Sequence, residues 1–153
     1  MAIIQSLHIY PIKSCAGVAL ESATLGHAGL ESQGAADREW MVVDADTGLF
    51  LTQRQAPRMA LIQPTLGSGL LNVHAPGRGE LPIPLDGAAT RRADRHVKVW
   101  THECGAIDEG DSAAALGNKR GVVDRQKLIR FPSFLHEKIL ARSMRTKNPK
   151  VAR

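Results

Sequence analysis

Seven short apolar runs, each bounded by turn-forming residues, recur along this chain and limit its folding options more than any other feature of the sequence. The first, Ile3 to Ile12, alternates Leu7, Ile9 and then Pro11 against Ser6, His8 and Tyr10, the period of a half-buried strand. Pro11 ends it or confines it to a sheet edge. Similar runs follow at Val18 to Leu25, Trp40 to Asp44, Met59 to Pro64, Leu70 to His74, Leu81 to Pro84 and His96 to Trp100. Between them lie Gly26 and Gly29, Asp46-Thr47-Gly48, Gly67-Ser68-Gly69, Pro76-Gly77-Arg78-Gly79 and Asp86-Gly87. Short strands at this spacing predict a mainly β fold, an antiparallel β-barrel with one or two short C-terminal helices. One helix is expected at Asp111 to Leu116, where acidic and N-cap-type residues precede good helix formers and Gly117-Asn118 stops them. A weaker stripe, Phe134-Leu135, Ile139-Leu140 and Met144, begins after Pro132.

A chain of 153 residues, 43% hydrophobic, can bury a core without disulfides or metal. No apolar run approaches the ~20 residues of a membrane span, and no signal peptide is visible, so a soluble cytoplasmic protein is expected. Its two cysteines, Cys15 and Cys104, are too few for a disulfide framework and read as reduced thiols. Charge divides the chain: residues 1–118 carry 9 Lys plus Arg against 13 Asp plus Glu, and residues 119–153 carry 11 against 2. A basic end of this kind can bind nucleic acid, yet no aromatic platform accompanies it, and nucleic-acid binding is not the favoured reading. From about Pro132 the apolar positions are too few for the charge, so residues 132–153 are expected to form a basic, mobile tail beyond a domain of residues 1–131.

Several chemical patterns fail on geometry. Gly110 to Lys119 lacks the spacing and preceding strand of a phosphate loop. His102 and Cys104 would share one face of a strand, but no third metal ligand stands nearby. Ser14 and Cys15 lack an acyl-transfer signature, and His8 and His27 are merely available in sequence. More informative is Tyr10-Pro11-Ile12-Lys13-Ser14-Cys15-Ala16-Gly17, where a strand ends and delivers an ammonium, a hydroxyl and a glycine into a turn. Asp37-Arg38-Glu39-Trp40 then places a guanidinium fork, suited to phosphate or carboxylate, just before an apolar strand. The plainer alternative leaves Lys13 solvated and pairs Arg38 with Asp37, Glu39 or another carboxylate; spacing does not choose between the two readings.

These same residues carry a family resemblance. Leu7-His8-Ile9-Tyr10-Pro11-Ile12-Lys13-Ser14-Cys15, Gly29-Leu30, Asp37-Arg38-Glu39-Trp40-Met41-Val42-Val43-Asp44, Thr52-Gln53-Arg54-Gln55-Ala56-Pro57-Arg58-Met59 and Val97-Lys98-Val99-Trp100 resemble the N-terminal β-barrel domain of the MOSC (molybdenum cofactor sulfurase C-terminal) family over about residues 3–131. The resemblance implies a barrel packed on a larger catalytic MOSC domain, with the pterin of a molybdenum cofactor held between them. It implies that Lys13, Ser14 and Arg38 contact the pterin phosphate. It also makes Arg54 a barrel-stabilising residue and Trp40 and Trp100 core residues.

Family enzymes hold molybdenum through a cysteine of the second domain, which neither Cys15 nor Cys104 matches, and the sequence stops where that domain would be starting. The resemblance therefore implies a noncatalytic half-site without turnover or bound molybdenum of its own, related to oxidoreductases of N-hydroxylated substrates. Completion by a separate MOSC catalytic chain, a small basic nucleic-acid-binding module and a truncated gene remnant are the alternatives.

Overall fold

The computed structural model describes residues 1–26, 29–86, 93–115 and 126–131. The expected tail, residues 132–153, lies outside them, as do His27, the last expected helical residue Leu116 and its stop. The strands are β1 (Leu7–Ile9), β2 (Val18–Leu20), β3 (Thr24–Gly26), β4 (Gly29–Ser32), β5 (Ala35–Ala36), β6 (Trp40–Asp44), β7 (Gln63–Gly67), β8 (Leu70–Ala75), β9 (Gly79–Pro84), β10 (Arg95–Val99), β11 (His102–Asp108) and β12 (Gln126–Arg130). A single α-helix among the described residues, α1 (Asp111–Ala115), packs its buried Ala113 and Ala114 against β12. The strands form a curled antiparallel half-barrel, in keeping with the expected mainly β class.

Sheet connectivity follows chain order except at one place. β1 pairs with β2, β3–β4–β5 is a meander and β7–β8–β9 another. The fourth sheet runs β10–β11–β12–β6, so the late strand β12 inserts between β11 and the early strand β6. Arg130 stands opposite Trp40 in that ladder, and Gln126 opposite Asp44. Gln126–Arg130, near the end of the expected 1–131 domain, thus form an interior strand of this sheet.

β6 organises the interior because both its faces are covered. Trp40 and Val42 join one cluster with Ile12, Cys15, Met59, Leu71 and Leu128. Met41 and Val43 join a second with Val97, Val99, Ala106, Ile129 and Phe131. A strand buried on both faces reads as a continuous apolar run, and Trp-Met-Val-Val is one. Each such side chain is worth roughly 1.5–3 kcal/mol in burial.

Some boundaries differ from the sequence reading. The run Val18 to Leu25 is two strands, broken at Glu21, Ser22 and Ala23. Met59 belongs to a 3₁₀ turn, Pro57–Leu61, begun by a proline whose missing N–H costs nothing there; strand structure resumes at Gln63. β4, β5, β11 and β12 had no counterpart among the expected strands. Among the described residues no helix is long and apolar enough to cross a membrane.

Candidate functional site

The chain after β1 does not leave the barrel at Pro11. The Arg38 N–H donates to the Tyr10 carbonyl at 2.8 Å, the Trp40 N–H to Pro11 at 2.9 Å, and the Lys13 N–H to Trp40 at 2.9 Å. Residues 10–13 therefore run beside residues 38–40, with Ile12 and Trp40 forming a parallel bridge. This pairing brings the Lys13–Ser14 turn and Arg38 to one edge of the fold although 25 positions separate Lys13 from Arg38.

The turn itself is closed by the Cys15 N–H donating to the Ile12 carbonyl at 3.2 Å. Ser14, its third residue, has φ of 68° in the left-handed region where glycine is the usual occupant. Gly17 serves sterically: a Cβ there would stand 2.8 Å from Cε1 of Tyr10, so the missing side chain makes room for the tyrosine ring. Arg38 is also left-handed, with φ of 58°. Its exposed guanidinium pairs with the adjacent Asp37, whose other carboxylate oxygen accepts the Tyr10 N–H at 2.9 Å. Of the partners left open by the sequence, Arg38 has taken Asp37.

The Lys13 ammonium lies 4.5 Å from the centroid of Phe50 and 5.5 Å from that of Trp100. Those two rings meet edge to face at 4.9 Å. Trp100 was expected in the core; it is 61% exposed, because it occupies the first position of the two-residue loop between Val99 and His102. Trp40 is core, fully buried. Arg54 is exposed in a turn held by Gln55, whose side-chain oxygen accepts from the Thr52 N–H and hydroxyl at 3.0 and 2.9 Å. Turn closure there falls to Thr52 and Gln55.

Beneath this edge sits an ion pair that the sequence did not disclose. Arg130 Nε donates to Glu39 at 2.6 Å, and its terminal nitrogens donate to the carbonyls of Pro84 at 3.2 Å and Leu85 at 2.8 Å. Its guanidinium carbon lies 4.6 Å from the Trp40 ring centroid. Burial pushes the Glu39 carboxyl above its ordinary range, against the pull of the Ala36 N–H and of Arg130. The only signal was Arg130 ending an apolar run, which resembles any strand-end charge.

A metal is poorly served by the described residues. Cys15 is buried beneath the turn, beside a cavity of about 30 Å³ that Ile12 and Gln126 also line, and burial raises its thiol to about 12. A thiol held protonated is a weak ligand. Burial also raises Cys104, whose Sγ faces the Val97 carbonyl at 3.8 Å. His102 and Cys104 share β11, and among the described residues no three His, Cys, Asp or Glu are grouped to hold an ion. Lys13, Ser14 and Arg38 carry an ammonium, a hydroxyl and a guanidinium on two backbone-paired segments, the ammonium against Phe50 and Trp100 and the guanidinium against Asp37.

Fold and rim together define an antiparallel half-barrel module with cationic donors on strained turns at one edge. The chain belongs to the family of the MOSC N-terminal β-barrel domain, whose match covers residues 1–120. It is 36% identical over 129 residues to a molybdenum cofactor sulfurase of Drosophila grimshawi, covering 81% of this chain and 16% of that one. It is 32% identical over 128 residues to mitochondrial amidoxime reducing component 2 of Bos taurus, covering 84% of this chain and 38% of the relative. The solution structure of a Bordetella bronchiseptica protein superposes with a TM-score of 0.51 at 27% identity, covering 72% of this chain and 88% of that one. The chain thus spans well under half the length of these two curated relatives.

Proposed function

We propose that this chain forms the noncatalytic half of a molybdenum-cofactor site, in which Lys13, Ser14 and Arg38 receive the phosphate of the pterin and a separate MOSC catalytic domain closes the other side. When held between two such halves, the cofactor supplies redox or sulfur-transfer chemistry through a metal that this chain does not ligate. The chain's own residues bind and orient the anionic end. Lys13 contributes a point charge, Ser14 a hydroxyl beside a turn N–H, and Arg38 a planar fork. By itself the chain is expected to lack turnover, and its two free thiols are consistent with a reducing, cytoplasmic setting.

The observation that carries this reading is the pairing of residues 10–13 with residues 38–40, which sets both strained turns on one edge of a MOSC N-terminal domain. Phosphate and pyrophosphate should shift the amide resonances of residues 13–17 and 37–39 selectively. A charge-assisted hydrogen bond is worth about 1.5–3 kcal/mol, so Arg38→Ala should weaken that binding roughly ten-fold or more. Arg142→Ala, in the basic C-terminal stretch, is the control and should change little. Binding that ignores Arg38→Ala but responds to Arg142→Ala would overturn the assignment. Elemental analysis of the purified chain should find well below one molybdenum per chain, and a stoichiometric metal would require a ligand set within these 153 residues.

A further inference from the structure

Among the described residues, five that are not glycine have positive φ: Ser14, Gln33, Arg38, Ser68 and Trp100. Two of them have an ordinary explanation. Gln33 and Ser68 each precede a glycine that also has positive φ, Gly34 and Gly69, in two-residue hairpin loops of the kind that suits the twist of paired strands. Trp100 also opens a two-residue hairpin loop, between Val99 and His102, but with no glycine after it, and Ser14 and Arg38 lie outside such loops. A left-handed tryptophan is the costliest of these, because a bulky side chain there crowds its own backbone.

Trp100 gains little by burial, being 61% exposed, yet its ring is not idle. It packs edge to face on Phe50, and both rings flank the Lys13 ammonium. Phe50 is held there by close backbone packing: the Lys98 N–H donates to the Gly48 carbonyl at 3.0 Å, and a Cβ on Gly48 would meet the His96 carbonyl oxygen at 2.9 Å. Three separate segments are therefore brought together around one lysine.

We propose that Trp100 and Phe50 are positioning residues that hold the Lys13 ammonium as a preset anion ligand. A lysine on a free four-carbon stem must be ordered when it binds an anion, and prior ordering removes that cost. The ring faces attract the ammonium without bringing a countercharge of their own. This inference rests on the anion-site reading above and extends it to two residues that would not touch the phosphate.

The test titrates pyrophosphate into the full chain and four variants: Trp100→Gly, Trp100→Tyr, Lys13→Ala and the Trp100→Gly/Lys13→Ala double variant. Glycine accepts the left-handed backbone, so Trp100→Gly removes the ring without forcing the loop. It should weaken binding about two- to five-fold, the range expected of an exposed cation–π contact. Trp100→Tyr should restore most of the loss, and the double variant should bind no worse than Lys13→Ala alone. The Lys13 ε-methylene protons should be shifted upfield by the rings in the native chain and return to ordinary values in Trp100→Gly. If Lys13→Ala weakens binding while Trp100→Gly leaves it unchanged, the positioning role is wrong and the anion site stands. If neither Lys13→Ala nor Arg38→Ala weakens binding, the anion site itself fails and the positioning role falls with it.

Discussion

Two arginine–carboxylate pairs begin two residues apart in the chain, at Asp37 and Glu39, and behave oppositely. Asp37 holds Arg38 at the exposed rim, whereas Glu39 holds Arg130 in the interior under Trp40. In the interior pair every arginine nitrogen has a protein acceptor, and the Glu39 carbonyl also receives the Phe131 N–H at 2.9 Å. That arrangement ties β12, the loop after β9 and the entry to β6 into one unit. The rim pair has one carboxylate and open water around it, so its guanidinium can exchange Asp37 for another anion at small cost. Burial, more than residue type, separates a structural arginine from one left accessible to solvent.

The largest effect expected of this difference is on stability. Arg130→Met would leave Glu39 buried without its cation and should lower the unfolding free energy by about 3–5 kcal/mol. Urea denaturation reads this directly. Adding Glu39→Gln should recover part of the loss, since two neutral partners cost less than one stranded charge. A loss near that of a surface pair, below about 1 kcal/mol, would break the comparison.

This contrast also explains what could be read from the sequence. Trp40 to Val43, the apolar part of the expected strand Trp40 to Asp44, was legible because a strand covered on both faces is apolar at every position. β12 was not, because Lys127 and Arg130 looked like the beginning of the basic end, and the partner that buries Arg130 is 91 positions earlier. Lys13, Ser14 and Arg38 stood out through strand-end placement and family resemblance, but the sequence alone left Arg38 between an anion and its neighbouring carboxylates. Trp100 was misread for a physical reason: a large aromatic ordinarily pays most in a core, and its loop lacks the Asn-Gly or Asp-Gly that announces a two-residue hairpin.

The next effect concerns close packing near the rim. Gly48 has φ of 66°, and an added Cβ would press on backbone, so Gly48→Ala should cost on the order of 1–3 kcal/mol in thermal or chemical unfolding. Retained native stability would mean that the 48–50 segment is not clamped against β10 as described.

Between interior and rim lies Asp108, a partly buried case that sharpens the comparison through pH. Burial works to raise its carboxyl, but the Gly110 N–H, Arg95 and Lys127 together outweigh that and hold it below its ordinary value of 3.8. Because the folded state favours the ionised form, its contribution is present above that ordinary value and is lost as pH falls through the lower folded one. Asp108→Asn should therefore reduce stability at neutral pH and flatten the acid limb of the stability curve. An unchanged acid limb would show that Arg95 and Lys127 are solvent-screened charges.

The smallest expected effect tests whether the rim is strained for the sake of binding. Arg38 sits at φ of 58°, where a residue with a Cβ is disfavoured by roughly 1–2 kcal/mol relative to its right-handed state and glycine is not. Arg38→Ala keeps that strain and removes an exposed pair, so its stability should fall within about 0.5 kcal/mol of the native chain. Arg38→Gly also removes the strain and should be more stable than Arg38→Ala by up to roughly 1 kcal/mol. Both variants should lose phosphate binding equally, because both lack the fork. At Glu39 no comparable gain exists, since its carboxylate is committed to Arg130 and to the Ala36 N–H at 2.9 Å. If Arg38→Gly is instead markedly less stable than Arg38→Ala, the guanidinium and its turn are holding the fold together, and the two arginines differ in exposure but not in kind.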